Sequence, residues 1–547
     1  MLLKMIRTRE FVMRSTETGS RLRCWRDCLA GLSSGGSVMF GVILALGCGS
    51  RTQLHGGEPA CEIDADCDQS APCLPQSCME GQCFAAPLDC GPSPPCQQLA
   101  CNPGSGQCES FDITQDLDGD GFNGPLPGYT AGEEGSCGDD CDDTSPAAYP
   151  GGTETCDGVD NDCDATVDNN ALFLERAELP DVRQLDLTAE TSSRRGFSYG
   201  DGIFAAGYWG SKDGSRSSWI GGIDEGTLED IWRKEAVLVN VESYGADLVW
   251  SGDSFGSTWS DLRYDSNYEV FFNRFNKYGE KLGPDLRITT APNFSTDSVV
   301  MFDQGRYVLA WSDQRGEARG IGTQVFAQIV DFQGRLVGGN RVISRDGEFA
   351  EGPALAATPT RIGLVYTDSP RLGEPDEGNI RLHFRTFDKE FEDGTFVRLA
   401  EDDAREPRIV AAGEKFVVSW SVQDEFPGPS IMGAVLDSDG EILVGPEPIT
   451  FGATSARSSS LLSFGDRFML LWSDNLDGNL ELYAQVMDLK FNVLEPRVRL
   501  TADPAVTGSP IAIRGESGTI GILFDDDRTG NKQAYFTALE CTVHTLR

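Results

Sequence analysis

From about residue 182 to the C-terminus, apolar and polar residues alternate in short runs separated by turn residues, the two-residue period of half-buried strands. One run in each repeat closes on an aromatic: Trp259, Trp311, Tyr366, Trp420, Trp472 and Phe524, spaced by 52, 55, 54, 52 and 52 residues. Around Trp420 the unit reads as Pro407-Arg-Ile-Val-Ala-Ala412, Phe416-Val-Val-Ser-Trp420, Ile431-Met-Gly-Ala-Val-Leu436 and a short closing strand. Turns such as Asp331-Phe-Gln-Gly334 and Asp437-Ser-Asp-Gly440 fall between the third and fourth strands. A period near fifty with four strands per unit predicts a β-propeller, whose blades bury their faces against one another with the aromatics between them. One period before Trp259 lies Gly207, within Ile203-Phe-Ala-Ala-Gly-Tyr-Trp209, a degenerate first copy, so seven blades are expected. The last copy lacks a fourth strand, while Gln184-Leu-Asp-Leu-Thr-Ala-Glu190 repeats the closing strand Arg497-Val-Arg-Leu-Thr-Ala-Asp503. Residues 182–188 are therefore expected to complete the last blade, paired with residues 533–538.

Upstream the pattern changes. Between Asp116 and Asp168 there is no lysine or arginine, and aspartate, glycine and cysteine dominate. Asp116-Leu-Asp118-Gly-Asp120-Gly-Phe122 has the alternating carboxylates and the glycine at position 6 of a calcium loop, with the Phe122 carbonyl as backbone ligand. Pro127 stands where an EF-hand would place its last acid, so further oxygens must come from elsewhere. Asp139, Asp140, Asp142 and Asp143 are nearby, and Cys156-Asp157-Gly-Val-Asp160-Asn-Asp162-Cys163-Asp164 repeats the alternation, with Asp157 and Asp168 flanking it. Two cations are expected.

The order of these pieces resembles the metal-binding repeat of the MopE type, found in large bacterial surface proteins. The matching stretches are Asp116–Phe122, Asp139–Asp143 and Tyr149–Asp164, which together span about a tenth of the chain. That resemblance implies a metal site. The family's copper association depends on histidine and a modified tryptophan, neither of which this segment contains, so the expected metal is calcium.

Arg21, Arg23 and Arg26 precede the apolar run Val38–Leu46, which is too short to span a bilayer as a helix and reads as an export signal. Leu44-Ala-Leu-Gly-Cys48 resembles the lipobox of bacterial lipoproteins, which implies lipidation at Cys48 and, with Gly49 following, an outer-membrane or cell-surface location. Export makes disulfides the natural use of the cysteines. Cys67, Cys73, Cys78 and Cys83 are spaced much like Cys90, Cys96, Cys101 and Cys108, each set ending in Gly-Gln-Cys, which suggests two copies of one small stapled module. Cys137, Cys141, Cys156 and Cys163 are further disulfide candidates, and Cys61 and Cys541 are left over, free to pair with each other or with neighbours.

A formal charge of −41 repels nucleic acid and anionic lipid, so no nucleic-acid partner is expected, and the membrane is reached through the lipid alone. Trp259-Ser-Asp-Leu-Arg263, Trp311-Ser-Asp-Gln-Arg315 and Phe524-Asp-Asp-Asp-Arg528 repeat an acid and an arginine after the aromatic. The aspartate is read as a cap of turn amides and the arginine as a partner for the next blade. His55, His383 and His544 lie in no nucleophile or zinc motif, and Ser251–Trp259 is one residue too long for a sialidase Asp-box.

The reading is an all-β chain: export signal over 1–47, cysteine-rich modules over 48–110, an acidic calcium segment over 111–170 and a seven-bladed propeller over 171–547. Its expected role is non-catalytic, a monomeric surface protein whose propeller recognises or adheres to an extracellular glycan or protein, with no catalytic residue assigned. The alternative is a propeller glycoside hydrolase using paired carboxylates.

Overall fold

The computed structural model describes residues 61–547 apart from short stretches at 156–158, 166, 169–170, 175–181, 186–190, 213–214, 238–240, 265–266, 317–321, 346–348, 370–378, 402, 423–429, 453–454, 503 and 544–547. The export signal and Cys48 lie outside the described residues, as do Cys156 and Asp157. The chain divides into two compact units, the first ending at Asp89 but including Cys101–Gln107, the second comprising Cys90–Ala100 and everything from Cys108 onward.

The second unit holds seven four-stranded antiparallel sheets in sequence order. Blade I runs from Thr191–Gly200 to Asp230–Glu235, blade II from Ser243–Trp250 to Leu286–Arg287, and blade III from Ser295–Asp303 to Leu336–Val342. Blade IV runs from Phe349–Ala357 to Gly394–Ala400, blade V from Arg405–Ala412 to Ile442–Pro448, and blade VI from Arg457–Phe464 to Val493–Arg499. Blade VII has Thr507–Arg514, Ile520–Asp526 and Gln533–Leu539 from the C-terminus, and its outer strand is Arg183–Gln184, with Gln184 opposite Tyr535 and Arg183 opposite Phe536. First strands of neighbouring blades pack against each other around the ring, that of blade VII against that of blade I, so they surround the axis.

The repeating aromatics explain why the blades associate. Trp259 packs with Ile203, Ala205 and Ile220 of blade I, Trp311 with Val270 and Phe272 of blade II, and Trp420 with Leu382 and Phe384 of blade IV. Each is buried against the preceding sheet, a hydrophobic contribution of roughly 1.5–3 kcal/mol per large side chain. In blade I this place is taken by Tyr208, one residue beyond the expected Gly207: it is buried in a cluster with Leu523, Ala534 and Phe536 of blade VII, whereas a Cβ at Gly207 would lie 1.9 Å from the Ala246 carbonyl oxygen of blade II.

Each first strand also carries a register shift near its start, at a residue in the left-handed region: Gly245, Asp297, Gly352, Glu406, Ser458 and Ser509 in blades II to VII. The Ser312 hydroxyl of one Trp-Ser-Asp motif accepts the Gly352 amide of the next blade's bulge at 3.2 Å, and Ser473 accepts that of Ser509 at 3.1 Å.

The two cysteine sets repeat one pattern, each with a two-stranded hairpin and a bond from its first to its last cysteine. Cys61 pairs with Cys78, Cys67 with Cys83, Cys73 with Cys101, Cys90 with Cys108, Cys96 with Cys137 and Cys141 with Cys163. The third cysteine of each set pairs upstream, Cys78 with Cys61 and Cys101 with Cys73, and the second pairs downstream, Cys73 with Cys101 and Cys96 with Cys137 in the acidic segment, so each copy is linked to what precedes and follows it. Cys61 is consumed by Cys78, which removes the Cys61–Cys541 cross-link; Cys541 is itself disulfide-bonded.

Candidate metal centre

The first carboxylate loop is built from its own amides. Gly119 N–H donates to Asp116 Oδ1 at 2.6 Å and Gly121 N–H to Asp116 Oδ2 at 3.0 Å. Asp120 N–H donates to Asp118 Oδ1 at 3.1 Å and Phe122 N–H to Asp120 Oδ1 at 2.8 Å. Gly119 and Gly121 have φ of 89° and 102°, a backbone that side-chain-bearing residues resist, which is why glycine alternates with aspartate here. The result gathers carboxylate oxygens of Asp116, Asp118 and Asp120 within 4.8 Å of one another.

A remote acid joins them. Asp140 is 0% exposed; its Oδ1 accepts the Asp142 amide at 2.9 Å, and its Oδ2 has no hydrogen-bond partner. Asp118 Oδ2 and Asp120 Oδ2 are likewise buried and unpartnered. Burial, and then the nearby charges of Asp120, Asp118 and Asp143, push the Asp140 carboxyl above its usual range, and burial with neighbouring acids does the same to Asp118. Asp143 is tied to this loop through Leu117 N–H, which donates to its Oδ1 at 2.8 Å.

The second cluster repeats the construction. Asp164 N–H donates to Asp160 Oδ1 at 3.1 Å and Asp162 Oδ1 at 3.2 Å, and Ala165 N–H to Asp160 Oδ2 at 2.7 Å. Its remote acid is Glu154, 3% exposed, whose Oε1 accepts the Asp162 amide at 2.9 Å while Oε2 has no partner. Oxygens of Glu154, Asp160 and Asp162 lie within 4.8 Å of one another. Burial, Asp162 and Asp168 push the Glu154 carboxyl up, and burial and Asp164 raise Asp162. Cys141–Cys163 pins the segment after Asp140 to the turn of the second cluster.

Of the expected ligands, Asp116, Asp118, Asp120, Asp140 and Asp143 come together in one cluster, and Asp160 and Asp162 in the other, with Asp164 on the same turn. Asp142 is otherwise engaged, its Oδ1 capping the Thr144 amide and hydroxyl at 3.3 and 2.6 Å. Asp139 is exposed, and the Phe122 ring stacks on Tyr149 at 5.5 Å. Glu154 was missed, since it lies six residues before Asp160 and outside the alternating pattern; the glutamate in Tyr149-Pro-Gly-Gly-Thr-Glu154 was its one signal.

An orphaned, desolvated carboxylate oxygen is costly unless something positive meets it, and here three such oxygens, on Asp118, Asp120 and Asp140, belong to the first cluster and one, Glu154 Oε2, to the second. The donors are all oxygen, the nearby cysteines Cys141 and Cys163 are consumed as a disulfide, and the residues present fit a hard cation.

Residues 140–169 match the family model of the MopE type, described as a "putative metal-binding motif". No curated protein sequence matches the chain. Solved structures match the chain at low identity and low TM-score. The polysaccharide lyase Uly1 is 8% identical with a TM-score of 0.43, covering 65% of this chain and 91% of that one. The β-propeller domain of the Trilobed protease from Pyrococcus furiosus is 9% identical with a TM-score of 0.41, covering 65% and 97%. The α-L-arabinofuranosidase arb93a from Fusarium graminearum is 15% identical with a TM-score of 0.36, covering 56% and 95%. The chain is thus an all-β protein with a metal-binding motif of the MopE type, a disulfide-rich N-terminal region and a seven-bladed propeller.

Proposed function

We propose that this is a lipid-anchored surface protein that binds calcium through its acidic segment and presents the propeller, without catalysis, to an extracellular glycan or protein ligand. The observation that carries the metal assignment is the pair of buried, one-sidedly bonded acids, Asp140 and Glu154, each set against an aspartate ladder. In each cluster the amide-held oxygens fix the carboxylates while the bare ones remain for a cation. Calcium takes six to eight oxygens in irregular geometry, which this arrangement supplies, whereas copper prefers nitrogen and sulfur donors. Bound calcium would neutralise the repulsion among these acids and lock the segment. Calorimetric titration of the full chain should show two calcium sites and weaker or no response to copper; a dominant copper response would sink the assignment.

One observation supports the hydrolase reading. Asp297 and Glu351 stand on first strands of adjacent blades, and partial desolvation, then the Asp297 charge, raise the carboxyl of the exposed Glu351, the direction a general acid needs. Glycan release by the wild type that Glu351→Gln abolishes, with calcium binding unchanged, would establish catalysis and displace the recognition role.

A further inference from the structure

The second carboxylate cluster is fastened to the propeller by the residues that follow it. The Val167 carbonyl accepts Arg467 Nη2 at 2.9 Å. The Val167 side chain fits against Gly465, where an added Cβ would lie 3.2 Å from its Cγ2. Fully buried Asp168, whose charge bears on Glu154, stands 3.8 Å from Arg514 Nη1 of blade VII. Phe173 and Leu174 then enter the apolar layer between blades VI and VII, with Phe173 stacked on Phe464 at 4.2 Å. Their amides donate to the buried Glu495 carboxylate of blade VI, at 3.1 and 2.9 Å to Oε2. Between them, Ala171–Leu172 pairs with Thr542–Val543 beyond the last blade.

The segment leaving the cluster therefore grips the seam where the ring closes, on two blades and on the C-terminal strand. We propose that cation loading of the Glu154–Asp160–Asp162 cluster tightens this closure, so that the metal segment acts as a calcium-dependent clasp on the propeller. The proposal rests on the calcium reading above. Without a cation, Glu154, Asp160, Asp162 and Asp168 repel one another at the root of the clasp, and any opening that separates them also releases Val167 and Phe173. A cation that binds only the gathered arrangement disfavours that opening by mass action. Linkage makes the effect reciprocal: whatever loosens the clasp must weaken cation binding by the same factor, even at a residue that touches no ligand.

The test uses the full chain with calcium chloride alone, followed by calorimetry and by hydrogen exchange. Calcium should slow exchange roughly tenfold or more in Arg467–Asp474 and in Thr542–Val543, the elements that the clasp covers. Asp162→Asn should abolish that protection together with one calcium site. Phe173→Ala should weaken the same site severalfold although Phe173 is no ligand, which a role confined to packing would not produce. If calorimetry shows a site that Asp162→Asn removes, but exchange in those two elements is the same with and without calcium, the clasp is overturned and the calcium reading stands. If the wild type takes up no calcium, the calcium reading fails and the clasp fails with it.

Discussion

Trp311 Nε1 donates to Asp313 Oδ2 at 2.8 Å, and the same bond joins Trp259 to Asp261 at 2.9 Å. Asp313 also accepts the Arg315 amide at 2.9 Å and its guanidinium at 2.7 and 2.6 Å, while the guanidinium lies 4.1 Å over the Phe326 ring. Indole, carboxylate, turn amide and arginine thus form one knot within a single blade. The recurrent aspartate caps its turn as the sequence suggested, but the arginine does not reach the next blade: Arg263 binds Asp261 and Asp285 of its own blade, and Arg528 binds Asp526. A side chain two residues beyond a strand-ending acid folds back onto it more readily than it crosses a blade boundary. The knot is a folding device, so Asp313→Ala should cost about 3 kcal/mol by leaving Arg315 and the indole without their acceptor. Urea unfolding measures this, and a loss below about 0.5 kcal/mol would show that the knot contributes little.

Asp526 and Glu495 should give stability opposite dependences on pH. Burial alone would push the Asp526 carboxyl up, but Arg528 and Thr507 more than offset it, so its folded pKa lies below the ordinary 3.8. Its contribution is present above that value and lost as pH falls through the folded pKa. Glu495 is the reverse, because burial raises it above 4.5 despite the amides of Leu174 and Phe173. The folded state then holds the proton more tightly, so this contribution is full below 4.5 and is lost as pH rises through the folded pKa. Asp526→Asn should flatten the acid limb of the stability curve, and Glu495→Gln the decline above 4.5; unchanged slopes in both variants would refute the assignment.

The two remote acids make a sharper test of the metal centre than the ladders do. Glu154→Gln and Asp140→Asn keep the amide-accepting oxygen but remove a charge, so the loops should survive while calcium affinity falls. Each should lower affinity at its own site by roughly tenfold or more, since ligand charge count tunes calcium binding. Calorimetry of each variant should show one weakened site and one intact site. Loss of both in either variant would mean that the clusters do not act separately.

What was legible in the chain followed from periodicity and local chemistry. Trp259 to Phe524 recur because each must plug the gap to the blade before it, and the aspartates at 331, 437 and 488 recur because each caps the turn before an outer strand, as Asp331 does for Gln333 and Arg335 at 3.0 and 2.8 Å. Glu154 lay within the Tyr149–Asp164 stretch but outside the aspartate alternation, and only the fold returns it to Asp160 and Asp162. The pairing of Cys73 with Cys101 was hidden for the same reason: spacing records local repetition, and a cross-link records where chains meet.

The proposed anchor at Cys48 has a direct test. Cells given a labelled fatty acid should incorporate it into the wild-type protein and not into Cys48→Ala, and the variant should leave the membrane fraction. Equal labelling of the two would rule out the anchor.

The ring is closed twice, by Arg183–Gln184 beside Gln533–Leu539 and by Ala171–Leu172 beside Thr542–Val543. Without the first pairing the last blade would expose the backbone of its third strand, and without the second the C-terminal segment would lose its partner. Phe173 and Leu174 add an apolar contact, both nearly fully buried against Leu462, Phe464 and Met469. Deleting a large buried side chain costs about 3–5 kcal/mol, and removing this segment deletes several contacts at once. A chain beginning at Arg195 should therefore melt well below one beginning at Ala171. Phe173→Ala in the full chain should reproduce part of the loss, because its ring fills the layer beside Phe464 while both pairings remain. Equal melting temperatures for the two truncated chains would mean that blade VII holds without its N-terminal strand, and that the double closure contributes nothing to stability.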